Sequence, residues 1–163
     1  MRGHRGGRPR SFDSYKAATA LPTDPAALLR WAYAQTPDVT GAGSTDDAEA
    51  FNILRGILGN GVLPDHLQAS VFRAMERIPG VAVRTVDVLG RPTLAPGQTG
   101  EWLRQELLLD PETYAYRGQR STVVKNATIN PLKAGNSTGR VYKGHTVVAE
   151  RLAARVVDRP GAR

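Results

Sequence analysis

The sequence predicts an α+β fold, and three observations predict it. Apolar residues recur at helical spacing from about residue 25 to 78, the pattern becomes β-branched and strand-like after Pro79-Gly80, and turn residues punctuate the second half at short intervals. Helices first and strands afterwards means segregated layers, here about three helices on one face of an antiparallel meander of about five strands.

The first helix is expected over 25–35. Asp24 caps its free amides, Pro25 suits a first position that needs no N–H, and Leu28, Trp31 and Ala32 share a face. Thr36-Pro37 ends it, because a residue before proline avoids helical angles. A second helix is expected over 47–59, with Asp46 and Glu49 at capping-box spacing and Phe51, Leu54 and Leu58 on one stripe. Asn60-Gly61 is its stop signal. The third helix, 65–77, starts beside Pro64 and carries Leu67, Val71, Met75 and Ile78 along one side.

Strands are expected at 81–88, briefly near Thr93-Leu94, then at 102–109, 114–124 and 142–157. Turns fall at Leu89-Gly90-Arg91-Pro92, Pro96-Gly97-Gln98-Thr99-Gly100 and Asp110-Pro111-Glu112. Residues 126–140 read as a long polar loop. Residues 1–20 read as a disordered basic tail, since too few apolar side chains are present to offset the entropy of ordering them. The folded unit is then a single domain over 21–160.

With 163 residues and no cysteine, the chain is large enough to bury a core without staples, and thiol catalysis, disulfides and thiolate metal sites are excluded. Its net charge of +7 is uneven: residues 21–110 hold seven basic and eleven acidic side chains, whereas residues 111–163 hold ten and three. A basic end on an acidic body suits a polyanionic partner such as nucleic acid, although eighteen arginines against four lysines also match a GC-rich coding bias. The Arg/Gly segment with Arg2, Arg5, Arg8 and Arg10 is the candidate polyanion contact. Neither a spanning apolar run nor a signal peptide is evident, so the chain as written reads as cytoplasmic; as a fragment of a membrane-anchored protein it would be extracytoplasmic.

Motifs for chemistry are weak. Gly135-Asn136-Ser137-Thr138-Gly139 fits the nucleophile-elbow pattern, but no buried strand precedes it and the order Ser137, His145, Asp158 reverses the hydrolase order. His4, His66 and His145 lack metal-ligand spacing. The acids Asp46, Asp47 and Glu49 are explained by helix capping, and Glu101 and Glu106 fall on opposite faces of a strand. No enzyme activity, metal or cofactor is therefore expected.

Five blocks carry a resemblance: Leu21-Pro22-Thr23-Asp24-Pro25 with Leu28, Ile78-Pro79-Gly80-Val81, Leu89-Gly90-Arg91-Pro92, Glu106-Leu107-Leu108-Leu109-Asp110-Pro111 with Thr113, and Val156-Val157-Asp158. Over about 20–160 the chain resembles the C-terminal extracytoplasmic domain of an uncharacterised actinobacterial membrane-anchored family, often encoded beside extracytoplasmic-function sigma factors. The family's membrane helix is replaced here by the Arg-rich tail, and Tyr114 stands where the family usually has a glycine. The resemblance implies no functional residues. A curved sheet over two or three helices also resembles lipoprotein-carrier and sigma-regulator sensor folds. The function expected is accordingly a non-catalytic, sensor-like module for an apolar small molecule or a regulatory protein. Phe51, Leu54, Leu58, Val71, Met75 and Trp102 would line its cavity, unless they simply fill the core.

Overall fold

The computed structural model describes residues 15–36, 45–129 and 139–152. Four helices precede the strands: α1 (Tyr15–Thr19), α2 (Pro25–Gln35), α3 (Asp46–Asn60) and α4 (Asp65–Met75). The strands are β1 (Ala82–Val88), β2 (Arg91–Thr99), β3 (Leu103–Leu109), β4 (Tyr116–Val123), β5 (Ala127–Ile129), β6 (Gly139–Val141) and β7 (Thr146–Glu150). The main sheet is fully antiparallel in the order β1-β2-β3-β4-β7, and β5 and β6 pair separately. The expected α+β meander is present.

Four local expectations are corrected. The folded part begins inside the expected tail, because α1 forms and Ala18 is buried against the core. The cap of α3 is Thr45 and not Asp46: its hydroxyl accepts the Ala48 N–H at 3.2 Å, and Asp46, Asp47 and Glu49 occupy the first turn. Pro96-Gly97-Gln98-Thr99 is strand, not turn: β2 runs through it, and Gly97 pairs with both Ala82 and Glu106. The long polar loop contains the hairpin strands β5 and β6, tied at its base where the Asn126 side chain accepts the Lys143 N–H at 2.7 Å.

Between the layers lies one apolar core. Leu28 and Ala32 of α2, Phe51, Leu54, Ile57 and Leu58 of α3, and Leu67, Val71 and Met75 of α4 pack onto Leu107 and Leu109 of β3. Polar ties fix the helices to one another. The Tyr33 hydroxyl of α2 donates to Asp47 of α3 at 2.6 Å, and buried Ser70 of α4 donates to the Thr23 carbonyl just ahead of α2. Burial, then the Asp47 carboxylate, pushes the Tyr33 phenol up to about 12, so it stays a donor at any physiological pH. Arg151, just after β7, donates to the carbonyls of Gly59 and Gly61 at the end of α3 and lies 4.6 Å above the Tyr116 ring. A cation at that negative helix end is electrostatically favoured.

The β3–β4 turn is built around Asp110, whose Oδ1 accepts the N–H groups of Glu112 and Thr113, both at 2.9 Å, while Arg117 bonds the other oxygen. Tyr114 completes it with φ of 60°. A non-glycine residue pays roughly 1–2 kcal/mol for that conformation. The ring offsets this by stacking on Phe72 of α4 at 4.8 Å, with Arg73 beside it. Tyr114→Ala should thus destabilise the fold by about 1 kcal/mol more than Tyr114→Gly, since both lose the stack and glycine alone is free of the backbone cost. Urea unfolding of the two variants measures this.

The Thr113 N–H first, then the Glu112 N–H and Arg117, hold the Asp110 carboxyl below the usual carboxylate range. A folded-state pKa below the unfolded one adds stability above about pH 4, lost as pH falls through the depressed value. The urea midpoint of Asp110→Asn should lie below that of the wild type at pH 7, with the gap closing below about pH 4.

Candidate functional site

Side chains alternate across a strand, so β3 presents Leu107 and Leu109 to the helices and Arg104, Glu106 and Leu108 to the opposite face. No helix covers that opposite face among the described residues, yet Glu106 is 1% exposed at its side chain. Two guanidinium groups enclose it. Arg84 of β1 donates from Nε to Oε1 at 3.0 Å and from Nη2 to the same oxygen, while Arg120 of β4 donates to Oε2 at 2.8 Å.

The cluster depends on small residues in β2. Arg84 pairs with Ala95, and Glu106 pairs with Gly97 on one side and Arg120 on the other. A Cβ on Gly97 would lie 2.5 Å from the Glu106 Cγ and 2.5 Å from the Gln105 carbonyl oxygen. Ala95 and Gly97 form a saddle over which Arg84 reaches Glu106. Beside the cluster, Val86, Val88, Ala95 and Leu108 make a second, smaller apolar group on this face.

The sheet curls toward the helix-free side. Asp87, Val88 and Leu89 at the end of β1, Arg120 of β4, and Thr146, Val148, Glu150 and Leu152 at β7 line one hollow of about 650 Å³. Four strand spacings separate β1 from β7, about 19 Å on a flat sheet, so a single hollow bounded by both requires a concave face. Arg91 of β2 reaches Glu150 of β7 at 3.5 Å, although β3 and β4 lie between those strands in the sheet. The rim is apolar: Leu89 is 80% exposed and Leu152 97%.

Leu89 also occupies an unfavourable backbone position. The two-residue β1–β2 turn has positive φ at both Leu89 (53°) and Gly90 (77°), a geometry that Asn-Gly fills without strain. Asp87 steadies it by accepting the Gly90 N–H at 2.8 Å. An exposed leucine here serves neither turn nor core.

Five of the six residues named for a cavity between helices and sheet lie together between those layers. Phe51, Leu54, Leu58, Val71 and Met75 are all buried within the interlayer core. Trp102 is not among them; it lines a separate hollow of about 330 Å³ with Ala48, Asn52, Gln98 and Leu103. The concave face escaped sequence reasoning because its residues, from Arg84 and Leu89 to Val148, are dispersed over three strands and a turn. Arg2, Arg5, Arg8 and Arg10 lie outside the described residues, as do Gly135, Asn136, Ser137 and Thr138. Within the basic C-terminal third, Arg117 is paired with Asp110, Arg120 with Glu106 and Lys125 with Glu101. No group of three metal-ligating side chains occurs among the described residues, and none of their helices is long and apolar enough to cross a membrane. His66 and His145 are both exposed.

The Arg120 side chain is 16% exposed and that of Arg84 42%. Solvent screens the second interaction more strongly, so the two arginines are unequal. Arg120→Ala should lower stability by about 3 kcal/mol and Arg84→Ala by about 1 kcal/mol, read from chemical denaturation at neutral pH. Equal losses would contradict this account of the cluster.

No family model, curated protein or solved structure matches this chain.

Proposed function

We propose that this chain is a non-catalytic binding module whose apolar ligand sits on the concave, helix-free face of the sheet. The observation that carries the reading is Leu89, an exposed apolar side chain held at positive φ on the rim of a hollow of about 650 Å³. Backbone strain without a packing role points to function, and the volume falls within the roughly 300–1,000 Å³ range of small-molecule sites.

Val88, Leu89, Val148 and Leu152 supply the apolar contact. The charged groups nearby are engaged within the protein: Arg120 with Glu106, Glu150 with Arg91, and Asp87 with the turn amide. An uncharged apolar group therefore suits the hollow better than an ion, whose entry would disrupt those pairs. The cluster floor contributes rigidity instead of chemistry. Among the described residues around the hollow, no nucleophile and base stand within hydrogen-bond reach of each other, which favours binding over catalysis.

The test uses 1-decanol as an uncharged apolar probe, followed by backbone amide NMR on the full chain. Shifts should concentrate at Val88, Leu89, Thr146 and Val148. Leu89→Asn should raise stability by about 0.5–1 kcal/mol, by relieving the turn, while weakening decanol binding. Opposite movement of stability and affinity is the signature expected of a residue kept for binding. Shifts confined to the interlayer core, or unchanged affinity in Leu89→Asn, would sink the reading.

A further inference from the structure

The outer edge of β1 carries an inference independent of the hollow. The strand reads Ala-Val-Arg-Thr-Val-Asp-Val, with no proline or glycine, and it pairs with β2 residue for residue without a bulge. The two-residue turn makes Val88 and Arg91 a hydrogen-bonded pair, as are Val86–Thr93, Arg84–Ala95 and Ala82–Gly97 in alternation. The N–H and C=O groups of Val83, Thr85 and Asp87 consequently point away from the sheet. Among the described residues no hydrogen bond engages them.

Edges of this kind are usually guarded by charges, bulges or covering elements. Here both charged residues of β1 are turned to internal tasks: Arg84 crosses β2 to Glu106, and Asp87 caps the turn at Gly90. The helix layer also stops short. Val83, Thr85 and Asp87 lie on the helix-side face but stay exposed, and none belongs to the interlayer core. Among the described residues, no helix stands in the way of an approaching strand.

We propose that a second copy of this chain pairs antiparallel at β1, joining two sheets into one across a twofold axis at Thr85. The register follows from the strand itself. A twofold axis normal to the sheet keeps residue parity, so the axis passes through a like pair. Centred on Arg84, it would pair Asp87 with Val81, which lies outside the strand. Centred on Val86, it would pair Val83 with the turn residue Leu89. Centred on Thr85, it opposes Thr85 to Thr85, Val83 to Asp87 and Arg84 to Val86. That register alone satisfies every outward group with strand residues of the other copy, through about six hydrogen bonds.

The cysteine-free chain makes this directly testable, because any disulfide in a single-cysteine variant must join two copies. Opposed Cα atoms in a hydrogen-bonded antiparallel pair lie about 5.5 Å apart, within the roughly 4.4–6.8 Å that a disulfide spans. Thr85→Cys should form a covalent dimer in a glutathione redox buffer, whereas Val147→Cys, exposed on the opposite edge strand β7, should stay monomeric. The unmodified full chain should show a concentration-dependent mass rising toward twice the monomer in sedimentation equilibrium. Thr85→Lys should weaken that association by about tenfold or more while leaving the circular dichroism spectrum unchanged. A wild-type chain that stays monomeric to about millimolar concentration, or cross-linking no greater in Thr85→Cys than in Val147→Cys, overturns the proposal. Association undiminished in Thr85→Lys does so as well.

Discussion

From Glu106 to Leu109, strand β3 is buried on both faces, and the rest of the structure follows from the need to cover them. Leu107 and Leu109 turn to the helices; Glu106 and Leu108 turn the other way and are just as inaccessible. A buried carboxylate is tolerable only when paired and hydrogen-bonded. Arg84 and Arg120 meet that requirement from the strands on either side, and in doing so their side chains shield the carboxylate from water.

This self-covering shapes the sheet. Closing the outer face over Glu106 and Leu108 without helices needs both curvature and small residues. Ala95 and Gly97 provide room beneath Arg84, and Gly118 allows β7 to approach, since a Cβ there would lie 2.2 Å from the Ala149 carbonyl oxygen. The resulting concavity brings the β1–β2 turn and β7 around one hollow. The ion cluster is thus the floor on which the proposed apolar site rests, with Arg120 common to both.

The helix layer is locked by different means. Its contacts are mainly apolar, with a few polar ties at helix ends: Ser70 to Thr23, Tyr33 to Asp47, and Arg151 to the last carbonyls of α3. Arg151 links the two layers, since it directly follows Glu150 and precedes Leu152, both of which line the hollow. Coverage by the helices is centred on β3 and fades toward β1. That one-sidedness leaves β1 with an open backbone edge, and hence the self-pairing surface proposed above.

The sequence by itself determined the order and nature of most elements, because those depend on local physics. Asp24 and Pro25 start α2, Pro64 starts α4, and the β-branched run ending at Leu89-Gly90 is a strand and a tight turn. It also determined the helix-side core, since Phe51, Leu54, Leu58, Val71 and Met75 follow a helical period that can be counted. Tertiary structure decided what local patterns cannot encode. Pro96 and Gly97 look like a turn, yet strand pairing on both sides and the demand for a small residue beside Glu106 hold them extended. Trp102 looks like a core residue, but its place at the end of the sheet puts it elsewhere. The Arg84–Glu106–Arg120 cluster joined residues up to 36 positions apart in the chain, and the concave face residues up to 65 apart, through strand register and curvature. Those are long-range properties of the folded sheet, absent from any short stretch of sequence.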